Sequence, residues 1–258
     1  MPDAYETFLQ DLRIRKGLDL TGYKRPQMER RINSLMRSLK VADYIAYLEL
    51  LGKEIQHWRK FLETLTINVS EFYRNPAQWE VLVAKIIPEL IQKSGSLKIW
   101  SAGCSTGEEP YTLAMVLMTR FPGVIFNLQA TDIDDEVLNK AKNGVYNDKA
   151  LANLPQNYTA RFFRPEGNNF TISDEVKKKV RFAKHNLLKE QFDRNYDLIM
   201  CRNVVIYFTE DSKAVLYRKF FDALKPGGVL FTGSTEQIFQ AREIGYSLAS
   251  SFFYKKGL

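Results

Sequence analysis

The sequence predicts an α/β fold in which a mostly parallel sheet with an antiparallel terminal strand follows a small all-α domain. Apolar side chains recur at helical spacing over residues 1–70. From residue 97 onward, short apolar runs alternate with helical patterns, as in a parallel sheet with crossover helices. An irregular segment at about residues 148–180 interrupts this alternation and predicts a small inserted β-subdomain. The predicted domains are residues 1–70 and 71–258, and the last apolar run, at residues 251–254, is predicted to be an antiparallel edge strand.

The composition is that of a globular protein without a metal centre. Its 258 residues are 45% hydrophobic and 26% charged, with a net charge of +7. No apolar run approaches the roughly 20 residues of a membrane span, and the polar first ten residues do not resemble a secretory signal. Two cysteines and two histidines form no metal-binding pattern. We therefore expect a cytoplasmic, monomeric protein that holds no metal and does not insert into a membrane.

The helical region contains one strongly basic segment, residues 24–40. Its apolar residues share one helical stripe: Met28, Ile32, Leu35, Met36 and Leu39. Arg30, Arg31 and Arg37 are predicted to lie on the opposite side. Residues 11–40 contain nine Lys/Arg against three Asp/Glu. This face is either a solvated surface or a docking surface for an acidic helix or a nucleic-acid backbone. No aromatic residues interleave with the arginines, which disfavours single-stranded nucleic acid.

A polar segment, residues 66–74 (TINVSEFYR), separates the helical region from the α/β region. It is either a linker whose polar side chains satisfy backbone groups, or a lid that offers Asn68, Ser70 and Arg74 to a ligand. Asn75 and Pro76 then fit the N-cap and the first position of a helix.

A glycine loop at residues 97–111 (LKIWSAGCSTGEEPY) joins a predicted strand to a predicted helix. Gly103 and Gly107 permit a tight turn and close approach of a ligand to the backbone. The middle glycine of a dinucleotide-binding G-x-G-x-x-G loop is missing. Glu108 and Glu109 follow at once, and two carboxylates would repel a pyrophosphate. The loop therefore suits a cationic or hydroxyl-bearing ligand better than a dinucleotide, which disfavours an NAD-dependent dehydrogenase.

Polar residues follow three further predicted strands. Asp132 ends the second strand, where doubly wound nucleotide-binding folds use a carboxylate to accept hydrogen bonds from ribose hydroxyls. Asp134 is better explained as a helix cap. Asn186 and Asn203 follow the next two strands, where each either contacts a ligand or forms a turn.

Together these segments resemble an S-adenosylmethionine-dependent methyltransferase with a Rossmann-like sheet. The closer resemblance is to the CheR family of chemotaxis receptor methyltransferases, which methylate glutamate side chains of chemoreceptors (methyl-accepting chemotaxis proteins). The motifs that carry it are TINVSEFYR at 66–74, SAGCSTGEEPY at 101–111, ATDID at 130–134, HNL at 185–187 and CRNVVIYF at 201–208. STGEEPY together with CRNV and IYF is a specific combination, whereas the general methyltransferase pattern alone is weak.

The resemblance implies S-adenosylmethionine as cofactor and S-adenosylhomocysteine as product. It implies a cofactor site formed by Asn68, Ser70, Arg74, Gly103, Glu108, Asp132, Asn186, Leu187, Asn203 and Val204. The sequence does not decide between Glu108 and Glu109, and Glu108 is the first choice. The resemblance also implies that the helix carrying Arg30, Arg31 and Arg37 docks on the helical bundle of a chemoreceptor. In some members the inserted subdomain binds a receptor peptide, and the sequence leaves this open.

The chemistry implied by the resemblance needs no general base. A glutamate carboxylate is already a nucleophile at neutral pH and a sulfonium methyl is already activated, so the enzyme has to align them. Arg74 and Tyr207 are the predicted catalytic residues, both orienting a carboxylate.

One alternative is a nucleic-acid methyltransferase, but Arg202-Asn203-Val204 stands where such enzymes carry Asn/Asp-Pro-Pro, and we expect no nucleic-acid partner. The other is a non-catalytic cofactor-binding signalling adaptor, which the complete set of candidate ligand residues disfavours.

Overall fold

The computed structural model describes residues 3–66 and 70–257, and the chain folds as two compact units. Of the described residues, 3–66 and 207–214 form the helical unit, and 70–206 and 215–257 form the α/β unit. The helical unit contains α1 (Ala4–Lys16), α2 (Arg25–Ser38), α3 (Tyr44–Lys53) and α4 (Ile55–Thr66). Acidic caps begin two of these helices: Asp3 accepts the N–H of Tyr5 (3.0 Å) and Asp43 that of Ala46 (2.9 Å).

The inner face of α2 follows the predicted apolar stripe, but one of its arginines is not where the sequence analysis placed it. The buried residues of α2 are Met28, Ile32, Leu35 and Met36. Arg30 and Arg37 are exposed. Arg31 is half-buried: its Nη1 donates to the carbonyl of Leu65 (2.8 Å), and its guanidinium lies 5.1 Å from the centre of the Tyr207 ring. The prediction of one solvent-facing row of three arginines is therefore wrong for Arg31, because it stands at the flank of the stripe.

The remaining elements, in chain order, are α5 (Pro76–Val81), a π-helical turn (Leu82–Ile86), α6 (Ile87–Ser94), β1 (Ser96–Ala102), α7 (Glu108–Arg120), β2 (Ile125–Asp132), α8 (Asp135–Asn143), β3 (Val145–Asn147), α9 (Asp148–Leu151), α10 (Gln156–Phe162), β4 (Phe163–Glu166), β5 (Asn169–Ile172), α11 (Asp174–Lys177), β6 (Val180–Lys184), β7 (Tyr196–Cys201), a 3₁₀ turn (Val205–Tyr207), α12 (Glu210–Ala223), β8 (Leu224–Thr232), α13 (Ala241–Ile244), β9 (Tyr246–Ser250) and β10 (Phe253–Lys256). Tyr207 and the start of α12 belong to the helical unit.

The main sheet has seven strands in the order β6-β2-β1-β7-β8-β10-β9. The first five run parallel, and β10 is antiparallel to both of its neighbours. The predicted antiparallel strand is thus present, but its placement at the edge is wrong, because β9 is outermost. Phe253 of β10 stands opposite Phe231 of β8, and their rings stack at 4.2 Å, which fixes β10 against the buried strand.

The inserted subdomain is a three-stranded antiparallel sheet in the order β3-β5-β4. Strands β4 and β5 form a hairpin within the predicted inserted subdomain, and β3 begins a few residues before the predicted start of the insertion. Phe72, in the segment that precedes α5, packs edge-on against Tyr146 of β3 (4.7 Å between ring centres) and Phe163 of β4 (5.2 Å). These aromatic contacts join the subdomain to the segment that carries Ser70 and Arg74.

The parallel strands bring their carboxyl ends to one edge of the sheet, where ligands bind in open α/β sheets. The loops after β1, β2, β6, β7 and β8 therefore carry the residues of interest for function. Within residues 3–66 and 70–257, no helix is both long enough and apolar enough to cross a membrane.

Candidate functional site

The glycine loop between β1 and α7 is held tightly against its neighbours. The N–H groups of Gly103 and Cys104 both donate to the carbonyl of Thr131 at the end of β2 (2.8 and 2.9 Å). Gly103 has a φ of +82°, and a Cβ at this position would lie 2.4 Å from Cγ2 of Val204. A side chain is excluded there on both counts, so glycine is required for the loop to pack against Val204.

Asp132 stands beside this loop, at the end of β2. One carboxylate oxygen accepts the N–H of Ser105 (2.9 Å) and the other accepts that of Asp134 (3.1 Å). Burial raises the pKa of Asp132 above its usual value. Each oxygen retains a second lone pair, so the carboxylate can still accept hydrogen bonds from hydroxyl groups. Asp134 accepts the N–H of Glu136 (2.9 Å) at the start of α8, which confirms its interpretation as a helix cap.

The two glutamates that open α7 have different surroundings. Glu109 accepts a hydrogen bond from Ser101 (2.8 Å) and forms an ion pair with Arg202 (3.4 Å). Glu108 turns toward the glycine loop: Thr106 Oγ1 donates to its carboxylate (2.7 Å), and Ser70 hydrogen-bonds it as well. Burial raises the pKa of both carboxyls. Because Glu109 already forms an ion pair with Arg202, Glu108 is the better candidate for a ligand contact.

The segment before α5 is fixed against the first turn of α7. The N–H of Tyr73 donates to Thr112 Oγ1 (3.1 Å), and that hydroxyl donates to the carbonyl of Glu108 (2.6 Å). This arrangement places Ser70 beside Glu108, and Arg74 follows with a half-buried side chain whose Nε is 4.0 Å from Glu71. Asn68 lies outside the described residues.

Asn75 is the N-cap residue of α5, as predicted, but its side chain does not cap the helix. It precedes Pro76 as expected, but its φ is +59° and its side chain makes no capping hydrogen bond to α5. Its Oδ1 instead accepts from Arg202 Nη2 (3.2 Å). The predicted N-cap position is therefore confirmed, but the side chain does not cap the helix, because it accepts a hydrogen bond from a buried cation instead.

The loop after β6 is a compact turn. His185 N donates to the carbonyl of Asp132 (2.9 Å), which ties this loop to the end of β2. Asn186 Oδ1 accepts the N–H of Leu188 (3.0 Å), so its side chain does form the turn that one interpretation expected. Leu187 is buried. A ligand role for Asn186 and Leu187 remains a prediction.

The loop after β7 carries an unusual backbone conformation at Asn203, whose φ is +60°. The N–H of Asn203 donates to Glu236 (2.6 Å), while its own buried Oδ1 has no hydrogen-bond partner among the described residues. Ser105 Oγ, in the glycine loop, is likewise buried with no partner in that part of the chain. Buried polar atoms normally have partners, so these two atoms fit a polar ligand at this edge of the sheet.

Profiles of two families match this chain over most of its length. The family described as "CheR methyltransferase, all-alpha domain" matches residues 3–66, and "CheR methyltransferase, SAM binding domain" matches residues 68–252. The chain belongs to the CheR methyltransferase family. It is therefore an S-adenosylmethionine-dependent methyltransferase. The carboxylates of Glu108 and Asp132, and an Asn203 Oδ1 without a partner in the described part of the chain, fit that cofactor.

Curated CheR relatives cover nearly the whole chain. A chemotaxis protein methyltransferase from Listeria innocua is 40% identical over 99% of both chains. One from Listeria monocytogenes is 37% identical over 99% of both. The chemotaxis protein methyltransferase of Escherichia coli K12 is 36% identical over 86% of this chain and 80% of that protein.

Arg202 is a central residue of the CheR site that sequence reasoning did not single out. Its side chain is 2% exposed, and its guanidinium lies 4.6 Å from the centre of the Phe231 ring. Nη2 donates to three oxygens of the segment before and within α5: Arg74 O (2.8 Å), Asn75 Oδ1 (3.2 Å) and Gln78 Oε1 (3.0 Å). Arg202 therefore links the end of β7 to the segment that carries Arg74.

The remaining predicted residues belong to the helical unit. The backbone carbonyl of Tyr207 accepts the N–H of Lys24 (2.9 Å), and its ring lies beneath Arg31. Arg30 and Arg37 are on the exposed face of α2. The catalytic role of Tyr207 and the docking role of the arginines remain predictions.

Proposed function

We propose that this CheR-family enzyme transfers methyl groups to glutamate side-chain carboxylates of chemoreceptor cytoplasmic domains, forming methyl esters in chemotactic adaptation. The observation that carries the proposal is the similarity over 99% of the chain to relatives named chemotaxis protein methyltransferase. The chemistry of the described residues supports it, because the two candidate carboxylates at the sheet edge, Glu108 and Asp132, suit a cofactor with hydroxyl and cationic groups rather than a pyrophosphate.

The proposed cofactor contacts come from loops at the carboxyl edge of the sheet and from the segment before α5. They involve Asn68, Ser70, Arg74, Gly103, Glu108, Asp132, Asn186, Leu187, Asn203 and Val204. Asp132 and Glu108 would accept hydrogen bonds from ribose hydroxyls or from a cationic group. Gly103 lets its loop pack directly against Val204, which brings these two proposed contacts together. S-adenosylmethionine supplies a methyl group that its positively charged sulfur has already activated.

Alignment is the chemical task left to the protein. A substrate glutamate is ionised at neutral pH, so no residue has to remove a proton before attack. Arg74 would hold a carboxylate by charge-assisted hydrogen bonds, and Tyr207 would hold one substrate oxygen so that the other faces the methyl group. The two cysteines are unsuited to nucleophilic catalysis, because burial raises the pKa of both Cys104 and Cys201.

The test is incubation of the full chain with radiolabelled S-adenosylmethionine and a chemoreceptor cytoplasmic fragment. We expect label on the receptor that mild base releases as methanol, since methyl esters are base-labile. The same fragment with its glutamates in the methylation region changed to alanine is the control and should remain unlabelled. Base-stable label, or label on added RNA or DNA instead of the receptor, would refute the glutamate ester proposal.

Variants of Arg74 and Tyr207 test the proposed alignment. We expect Arg74→Ala and Tyr207→Phe to lower kcat by about 10–100-fold, the range for loss of one or two hydrogen bonds that orient a reacting group. Cofactor affinity, measured by calorimetry, should fall less than kcat. Arg194→Ala, at an exposed arginine of the α/β unit, is the matched control. Wild-type transfer rates in both variants would show that neither residue aligns the reactants.

A further inference from the structure

Glu236 is a buried carboxylate that the motifs did not identify. It lies in the turn after β8 and is 3% exposed. One of its oxygens accepts the N–H groups of Asn203 (2.6 Å) and Gly233 (2.8 Å), and the other accepts that of Ile206 (3.3 Å). Its own N–H donates to the carbonyl of Gly233 (3.0 Å), which closes the turn. A single side chain thus joins the loop after β8 to the loop after β7.

The Glu236 carboxylate lies directly against the backbone at Gly233. A Cβ on Gly233 would lie 2.5 Å from Glu236 Oε2 and 2.9 Å from Asn203 N. The glycine therefore allows the carboxylate and the neighbouring loop to meet. Asn203 needs such support, because a non-glycine residue with a φ of +60° is held only where its surroundings determine its conformation.

The charge of Glu236 is as important as its shape. Three backbone donors converge on it, and an ionised carboxylate is purely an acceptor. A glutamine of the same size would turn an NH₂ group toward at least one of these donors. That substitution would leave buried N–H groups unsatisfied, which is costly inside a protein.

We propose that Glu236 is a positioning residue that holds Asn203 and Val204 in the conformation required to bind S-adenosylmethionine. Val204 is the residue whose Cγ2 lies 2.4 Å from where a Cβ on Gly103 would stand, so the loop after β7 and the glycine loop are in close contact. A shift of Asn203 therefore also disturbs the glycine loop. This inference rests on the proposed cofactor contacts of Asn203 and Val204.

The test compares Glu236→Gln with wild type and with Glu243→Gln, a matched change at an exposed glutamate of α13. Calorimetry with S-adenosylhomocysteine gives Kd, and initial rates with receptor fragment give the cofactor KM and kcat. We expect Glu236→Gln to raise Kd and cofactor KM by about tenfold, with a smaller fall in kcat at saturating cofactor. Circular dichroism at the assay temperature checks that each variant is folded. A purely structural role would lower the melting temperature and leave Kd unchanged in the folded protein.

Two further variants make the outcome decisive. Gly233→Ala introduces the Cβ that collides with Glu236 and Asn203, so it should also raise the Kd for S-adenosylhomocysteine. If Glu236→Gln fails to fold, Gly233→Ala is measured in its place. Asn203→Ala tests the proposed contact itself. If Asn203→Ala weakens binding and both other variants bind like wild type, Glu236 does not position the loop. If Asn203→Ala also binds like wild type, the proposed cofactor contact fails instead.

Discussion

The buried ion pair between Glu109 and Arg202 offers a quantitative test of how the site is held together. Arg202→Met removes the guanidinium but keeps an apolar side chain beside Phe231. It leaves Glu109, whose side chain is only 15% exposed, without its positive partner. It also removes the donor to Arg74 O, Asn75 and Gln78.

The structure indicates a large effect on stability. Removing one partner of a buried ion pair costs about 3–5 kcal/mol, because the other charge remains buried and uncompensated. In a protein of this size each kcal/mol lowers the melting temperature by about 2–4 °C, so we expect a fall of about 6–20 °C. The double variant Glu109→Gln/Arg202→Met removes both charges and should be more stable than Arg202→Met alone.

Urea unfolding of the two single variants and the double variant, followed by circular dichroism, measures the coupling between the residues. The control is Glu210→Gln, which breaks the ion pair with Lys213 (2.8 Å) at a carboxylate that is 78% exposed. Exposed pairs contribute at most about 1 kcal/mol, so this change should be nearly neutral. A loss below about 1 kcal/mol in Arg202→Met would refute the reasoning, since the pair would then contribute no more than an exposed one.

Two further predictions concern docking and pH. The double variant Arg30→Glu/Arg37→Glu, which reverses two exposed charges, should fold and bind the cofactor normally but methylate the receptor more slowly at low salt. Unchanged methylation in this variant would show that the exposed face of α2 is only solvated. Arg31→Ala should lower the melting temperature, because it removes the hydrogen bond to the carbonyl of Leu65. Burial raises the pKa of Asp132 and Glu108, so the carboxylates needed for the cofactor are lost as the pH falls through those raised values. Calorimetric affinity for S-adenosylhomocysteine should therefore weaken as the pH falls through the raised pKa values of Asp132 and Glu108. The same protonation does not destabilise the free protein, because a raised carboxyl pKa means that the folded state binds the proton more tightly than the unfolded state. An affinity that does not change with pH would contradict this.

Features set by neighbouring residues could be predicted from the sequence. The apolar stripe of α2 and the cap at Asp134 depend on spacings of a few residues, and both are confirmed. Asn75 fits a cap by the same local rule, but Arg202, distant in sequence, determines its side-chain partner. The prediction that β10 is an edge strand was wrong for a similar reason, since the strand order depends on which strand pairs with β8.

Residues that hold the site together were beyond local reasoning. Arg202 contacts Glu109 across 93 positions of the chain, and Glu236 contacts Asn203 across 33. No short spacing connects these pairs. The one local signal was Glu236 itself, three residues after Gly233 and just beyond the buried strand β8. Its role depends on the loop after β7, which only the folded sheet brings close to it.

The buried carboxylates of the α/β unit share one physical role. Asp132 binds N–H groups of the loop after β1 and of the turn before α8, and Glu236 binds N–H groups of the loop after β7. Glu109 acts through Arg202 on the segment that carries Arg74. Burial raises the pKa of all three carboxyls, because a buried charge loses its hydration. Loops at a sheet edge lack strand partners for their N–H groups, and a buried anion can orient several of them at once. These carboxylates thus fix the loops before a ligand arrives, and cofactor that binds only the folded unit should stabilise it further by mass action.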